Sequence, residues 1–511
     1  MAVSCSLRLG WQASGVWLAA GLTISMGCLP VHSLFYTGYL VATVLGMVAI
    51  FRLAGQRALP AGGLTTRSLP VWSLIVIAVI LFEFVNSKLS SPPTPFWDFL
   101  RAYYPAGRAA LYHDSTALRQ LIGLGAAGGF VNIPVVAYLL APFGLLAPKM
   151  AAILFTLVGV GSTVVAWFML VRLAQLELRE RWLLALLFLA NGPLLSGIKW
   201  GNISCFLVLA LTAGLVLLRA RRSAAAGVLL GVAAVLKPAL ALFLLFFLLR
   251  RDWRGVLGVV LTGIAAAALS LVLFGWSENL YWLQTSILQY SHSWLAVSGN
   301  QSIPAFLFRL HAPPDILLDF SVKAPGSGDR LLAHVITWLI FLLAAAACFR
   351  PRARAATEDT VRAQAQVQAG ARQDLQYLLT ICLCLVGSPL SWAHYYAWLL
   401  IPTAFFLGAQ GPLATFRPAR IVGWAAIALA TPLVLWPQPA APSALATLYA
   451  SFTVSHHLFG GLLWFGLIAW SLARTGGLLS QATGASRSAL AGRGTSSLGR
   501  TRSPDTNAAP Q

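Results

Sequence analysis

Apolar runs, many of them closed by arginine, recur from Trp11 to Leu472, and that single pattern leaves few folds open. A helix rising about 1.5 Å per residue needs roughly 20 apolar residues to cross a bilayer core. Only 10% of the 511 residues are charged and 58% are hydrophobic, whereas a soluble globular domain carries about a quarter charged. A water-soluble fold is excluded on that ground. The formal charge of +21 would suit nucleic acid if Lys and Arg gathered on one folded face. Here they punctuate apolar runs instead, so membrane lipids rather than nucleic acid are the expected partners.

Spans are expected at Trp11 to Leu29, Phe35 to Phe51, Val71 to Val85, Met150 to Val171, Trp182 to Ile198 and Ile203 to Leu218. Others are expected at Val256 to Phe274, Leu331 to Cys348, Leu375 to Trp392, Ala397 to Leu413, Ile421 to Trp436 and Leu458 to Leu472. The first lacks a small-residue cleavage site and is followed at once by another, which predicts a retained helix rather than a removed signal peptide. Threading about twelve crossings from a cytoplasmic N-terminus puts 25 of the 35 basic residues on one side with 7 of the 14 acidic ones, a balance of +18 against +3 elsewhere. Basic loops stay in the cytoplasm, so the orientation is expected to follow. The fold class is then an all-α integral membrane protein, a polytopic helical bundle spanning residues 1–474. Residues 475–511, rich in Gly, Ser, Thr and Arg, read as a disordered basic cytoplasmic tail.

One segment resists a single crossing. Ser223 to Leu249 is apolar, has arginine at both ends and carries Lys237-Pro238 in its middle. A single span would put one arginine cluster outside, so a re-entrant hairpin turning at Pro238 is expected, with a single Pro-kinked helix the plainer alternative. Two long outer stretches remain, 86–149 and 275–330. The first sets Trp97, Asp98, Arg101, Tyr104, Arg108 and Tyr112 at near-helical spacing, as in a juxtamembrane helix. The apolar run Ile133 to Leu146, bracketed by prolines, is assigned to the same layer because a crossing there would invert every later loop.

Strongly polar groups at or inside a membrane are costly, and their presence is a functional expectation. Five groups qualify: Asp98 with Arg101; Lys199 with Gly201-Asn202; Lys237-Pro238; Asn300-Gln301-Ser302 with Arg309; and Ser388 through Trp392, His394, Tyr395 and Tyr396. The arginine-derived topology carries all five towards the outer face. A carboxylate, several cations and aromatic rings there suit transfer from a sugar-bearing lipid phosphate to a hydroxyl, with the carboxylate as general base and a cation on the departing phosphate. Each group also has a plainer reading: Asp98 paired with Arg101, Lys199 as an interfacial anchor, Asn300 to Ser302 as a helix cap, and His394 with Tyr395 as packed interfacial residues. The six cysteines are scattered in apolar segments and no metal site is expected.

Asp98, Gly201-Asn202, Gly227 through Lys237-Pro238, Asn300-Gln301-Ser302 and Ser388-Pro389-Leu390-Ser391-Trp392-Ala393-His394 stand in an order that resembles glycosyltransferase family 87, over roughly Asp98 to Trp398. The resemblance implies the GT-C membrane fold, a polyprenyl-phosphate-linked sugar donor with mannose the expected hexose, and a lipid or glycan acceptor. It implies inverting transfer on the outer face of the inner membrane, with no cofactor. Asp98 is then the expected catalytic base, and Lys237, Lys199 and Arg309 the phosphate ligands. Asn202, Asn300, Gln301, Ser388, Trp392, His394 and Tyr395 are the expected substrate-binding residues. Two positions depart from the family pattern: Asn202 where glutamine is common and Tyr395 where a second histidine is. The rival reading is a multi-pass transporter or lipid flippase, disfavoured because no internal repeat is visible and the polar groups gather at one face.

Overall fold

The computed structural model describes residues 96–125, 128–349, 359–408, 413, 417–432 and 444–474. The spans expected before Val85 and the tail after Thr475 lie outside the described residues. What is described is helical, with two isolated bridges and no strand. Four helices are long and apolar enough to cross a membrane: Pro148–Leu173, Trp253–Leu288, Ser327–Cys348 and His456–Arg474. A pair bent by 47°, Leu178–Leu189 with Gly192–Trp200, makes a fifth if it is one span. Shorter apolar helices run over Ser204–Arg219, Ser223–Leu236, Pro238–Leu249 and Ala419–Ala430.

The apolar faces point outward. Only 22% of the most apolar window is buried in Trp253–Leu288 and in Ser327–Cys348, and side chains such as Val272, Trp338 and Leu261 are largely exposed. In water so large an uncovered apolar surface invites aggregation, and in lipid it carries no such penalty. The chain is a helical membrane protein.

Several expected spans are cut by local chemistry. At Asn191 the side chain accepts the Leu194 amide at 2.9 Å and starts a new helix with Pro193 in its first turn, so Trp182 to Ile198 bends rather than running straight. The segment expected as Leu375 to Trp392 ends at Val386, and its helix begins far earlier, at Asp359, in the stretch between that span and the one expected to end at Cys348. Ala397 to Leu413 starts as a 3-10 turn, Ala393–Leu399, and its helix closes at Leu407. The helix from Trp253 breaks at Gly275 (φ 76°, ψ 175°), where Asn279 donates to the carbonyls of Ser270 and Gly275.

Ser223 to Leu249 is a hairpin. Its first limb, Ser223–Leu236, packs through Gly227 on the backbone of Gly255, where a Cβ would come within 2.3 Å of the Gly255 carbonyl oxygen. Small residues are what allow two helices to approach this closely in a membrane. From the second limb, Leu242–Leu249, the Phe247 ring covers the same Gly255. The two ends flanking the hairpin therefore lie at one level and Lys237-Pro238 lies at the far end. The arginines agree: Arg219 grips Asp374 through Nε and Nη2 at 3.2 and 2.5 Å, while Arg250 donates to Gln373 and Gln376 at 2.7 Å each. Arginines flanking the two limbs thus meet one stretch of the helix Asp359–Val386.

Candidate active site

Asp98 stands at the mouth of a wide turn, Phe99–Tyr103, that hydrogen-bonds with π spacing before the chain tightens into the helix Tyr104–Leu111. Such turns re-aim side chains and occur often at functional sites. The turn is docked on the helix Gly192–Trp200 by the Phe96 amide, which donates to the Lys199 carbonyl at 2.7 Å. Gly201 ends that helix with φ 66°, and a Cβ there would meet Phe99 at 2.7 Å. Glycine is required on both counts.

The tight turn delivers Asn202 to Asp98. Its Nδ2 donates to Asp98 Oδ2 at 2.7 Å and lies 3.4 Å from the Tyr103 hydroxyl. Its Oδ1 accepts from the Ser204 amide and hydroxyl at 3.1 and 2.9 Å, which fixes the amide's orientation. Asn202 therefore stands behind the carboxylate as its holder, not across from a ligand as expected. Burial raises the Asp98 carboxyl above its ordinary range, opposed by the Asn202 bond and the Lys237 charge. Arg101, the plain partner for Asp98, lies 4.3 Å over the Trp97 ring instead.

Lys237 reaches the same place from the hairpin tip. It is buried, and its Nζ sits 4.6 Å from the centroid of Tyr395. Among the described residues no carboxylate lies within 4 Å of it, although Asp98 is near enough for the two charges to act on one another. His394 completes the wall. Its ring stacks on Trp392 (6.2 Å, 6°), meets Tyr395 edge-on and backs against Gly197. Its Nε2 is buried without a hydrogen-bond partner. Burial first, and Lys237 second, hold the imidazole well below its usual range, so it is neutral near pH 7. Four segments far apart in sequence thus bring a carboxylate, an ammonium, an imidazole and stacked aromatic rings to one buried place. Among the described residues no three His, Cys, Asp or Glu side chains gather as a metal site.

Residues 130–371 match the sequence profile of Glycosyltransferase family 87. The chain is a glycosyltransferase that carries the family 87 pattern over those residues. Among curated proteins it is similar to the polyprenol-phosphate-mannose-dependent alpha-(1-2)-phosphatidylinositol mannoside mannosyltransferase of Mycolicibacterium smegmatis, 26% identical over 405 residues that cover 74% of this chain and 84% of the relative. The protein of the same description from Mycobacterium tuberculosis is 28% identical over 395 residues, 72% of this chain and 84% of the relative. A pentamannoside mannosyltransferase from M. smegmatis is 28% identical over 315 residues, 60% and 67% of the two chains. No solved structure matches. Likeness to glycosyltransferases along most of the chain sets the transporter reading aside.

Not every expected residue of this glycosyltransferase joins that cluster. Arg309 is buried, its guanidinium donating to the carbonyls of Ala296, Val297 and Asn300 and to the Ser455 hydroxyl, which leaves little of it to grip a phosphate. Asn300 donates to Leu295 and accepts from the Ser391 amide; Gln301 donates to Ser298 and Val454. These residues build the floor under the His394 turn, which is also stitched by Gln301 N to Ser391 O and Ala393 N to Gly299 O. The Ser388 hydroxyl closes its own turn onto the Leu390 carbonyl, and Lys199 is half-exposed beside the docked Phe96. R309M should cost about 3 kcal/mol of stability, since several buried carbonyls lose their donor at once. A thermal unfolding midpoint in detergent that is unchanged from the parent would refute this scaffold role.

Sequence reading missed Tyr103 and Tyr290. The Tyr103 hydroxyl lies by Asn202 and close to Asp98 and Tyr395, and Tyr290 lies close to Tyr395. Tyr103 follows Asp98 by five places, a spacing that a 3.6-residue helix turns away and a π turn brings back.

Proposed function

We propose that this enzyme transfers mannose from a polyprenyl-phosphate-mannose donor to a hydroxyl of a glycolipid acceptor, inverting at the anomeric carbon. The observation that carries the reading is that half-buried Asp98 and buried Lys237 converge at one place without closing into an ion pair, the carboxylate already held by Asn202. An acid and a cation kept apart leave room for a reacting bond between them. The acceptor oxygen attacks the sugar's anomeric carbon as Asp98 takes its proton, and the bond from that carbon to the phosphate oxygen breaks. Lys237, with Lys199 at the margin, stabilises the departing phosphate. Neutral His394 offers an unoccupied ring nitrogen to a sugar hydroxyl, and Trp392 and Tyr395, packed on either side of it, hold that ring in place. Relatives that are named for polyprenol-phosphate-mannose and phosphatidylinositol mannoside support this choice of substrates.

The reaction takes place on the outer face of the inner membrane. Basic loops favour the cytoplasm, and Arg219, Arg250 and Arg372 lie at the level of one helical turn of Asp359–Val386 or near it. Lys237 ends a limb of 14 residues, a rise of about 21 Å from that level. The hairpin is then re-entrant from the cytoplasm, and the remaining crossings towards about twelve include those expected before Val85.

Labelled polyprenyl-phosphate-mannose supplied to membranes carrying the protein should yield a labelled glycolipid. Equal labelling from a nucleotide sugar in membranes unable to make the lipid donor would overturn the donor assignment. Sidedness has its own check. In a background without the native cysteines, a membrane-impermeant maleimide should label R101C in intact cells and R221C only after permeabilisation; the reverse pattern sinks the topology.

A further inference from the structure

The break at Lys237 leaves a carbonyl behind. In an unbroken helix the Leu236 carbonyl would accept the amide of Leu240, but that amide goes to the Lys237 carbonyl at 2.9 Å. Pro238 has no amide to offer. The carbonyl is taken instead by Asn132, from the first outer loop, whose Nδ2 donates to it at 2.6 Å. Asn132 is 3% exposed, and because its partner is a carbonyl the nitrogen end of the amide is fixed. Its Oδ1 is left buried with no donor, a condition that native structures seldom tolerate without a reason.

The loop that carries Asn132 is held on both sides. Trp282 Nε1 donates to the Val131 carbonyl at 3.0 Å, the Val135 amide to Ser270 Oγ at 3.2 Å, and the Phe130 amide to the Leu121 carbonyl at 3.0 Å. The second outer stretch, the helix beyond the hairpin and the first outer loop thus all brace one asparagine, which in turn grips the residue before Lys237. Lys237 itself is in extended backbone (φ −140°, ψ 104°) between two helical limbs: its amide closes the first limb on the Ala233 carbonyl at 2.8 Å, and its side chain leaves from the break, where the direction depends on how the two limbs are set.

We infer that Asn132 is a positioning residue for Lys237: by holding the Leu236 carbonyl it sets the angle of the hairpin tip and so aims the ammonium at the donor phosphate. The inference rests on the reading of Lys237 as the phosphate ligand. It couples the first outer loop, which carries Asp98, to the cation that must act in the same step.

The test is a set of dissociation constants for polyprenyl-phosphate-mannose, measured with the purified full-length protein in detergent. N132A, which deletes the donor, should weaken binding about tenfold, the scale of one lost hydrogen bond. N132Q, which keeps an amide one methylene further out, should recover part of the loss. In a K237Q background N132A should change the affinity no further, because its effect passes through the lysine. Parental affinity in N132A, equal loss in N132A and N132Q, or the same factor lost with and without Lys237 would each overturn the inference. So would failure of both Asn132 variants to fold, since that assigns the residue to the scaffold. If K237Q alone binds the donor as the parent does, it is the phosphate reading of Lys237 that fails, and the two results are distinguishable.

Discussion

D98N is expected to lower the turnover of sugar transfer by roughly 10²- to 10⁴-fold, the range that a positioned general base contributes. Asparagine keeps the shape of the side chain and can still accept the Asn202 amide through its oxygen, so the wide turn and its docking on Gly201 should survive. What it cannot do is take a proton. Donor affinity and the unfolding midpoint should therefore stay near the parent's while kcat collapses. The pH profile supplies a second arm. Burial raises the Asp98 carboxyl above its ordinary range, so the acid limb of kcat/KM should lie above the value near 3.9 of a free aspartate, with activity falling as pH drops through the raised value. Activity of D98N within threefold of the parent in membranes of equal protein content would remove Asp98 from the reaction.

The asymmetry between what the sequence conveyed and what it hid follows from the range of the interactions. Arginines at both ends of an apolar segment and a Lys-Pro step in its middle are local, and they predicted the hairpin that Gly227, Gly255 and Phe247 build. Clusters of polar residues in apolar surroundings are local too, and Asp98, Asn202, Lys237 and His394 do meet. Roles were harder to read than places. Asn202 and Arg309 are both buried polar residues, but the first backs a carboxylate and the second ties carbonyls of its own outer stretch to Ser455. Only tertiary partners separate those cases. Helix ends were missed where a side chain makes the cut, as Asn191 does, because the apolar run continues across it. Asn132 carried no sequence signal at all, since its partner is a backbone carbonyl and any residue has one.

Substitution of Lys237 should produce the other large effect, and a different one in kind. The phosphate is charged in the bound donor and gains charge as the bond to the sugar breaks, so a cation beside it acts in both states. K237Q is expected to raise the donor KM about tenfold and also to lower kcat by roughly 10²-fold or more, the scale of removing a preorganised group from a developing anion. Acceptor KM should not move. Arginine should not rescue, because Lys237 is buried against the Tyr395 ring at the tip of a tight turn, and a forked guanidinium neither fits there nor presents a point charge. The loss in K237Q should also persist at high ionic strength, since a buried charge is screened far less than a surface one. A K237Q enzyme with an unchanged donor KM and a depressed kcat would leave the lysine as a stabiliser of the transition state alone. One with both constants unchanged would mean that the hairpin tip presents its charge to nothing in the reaction.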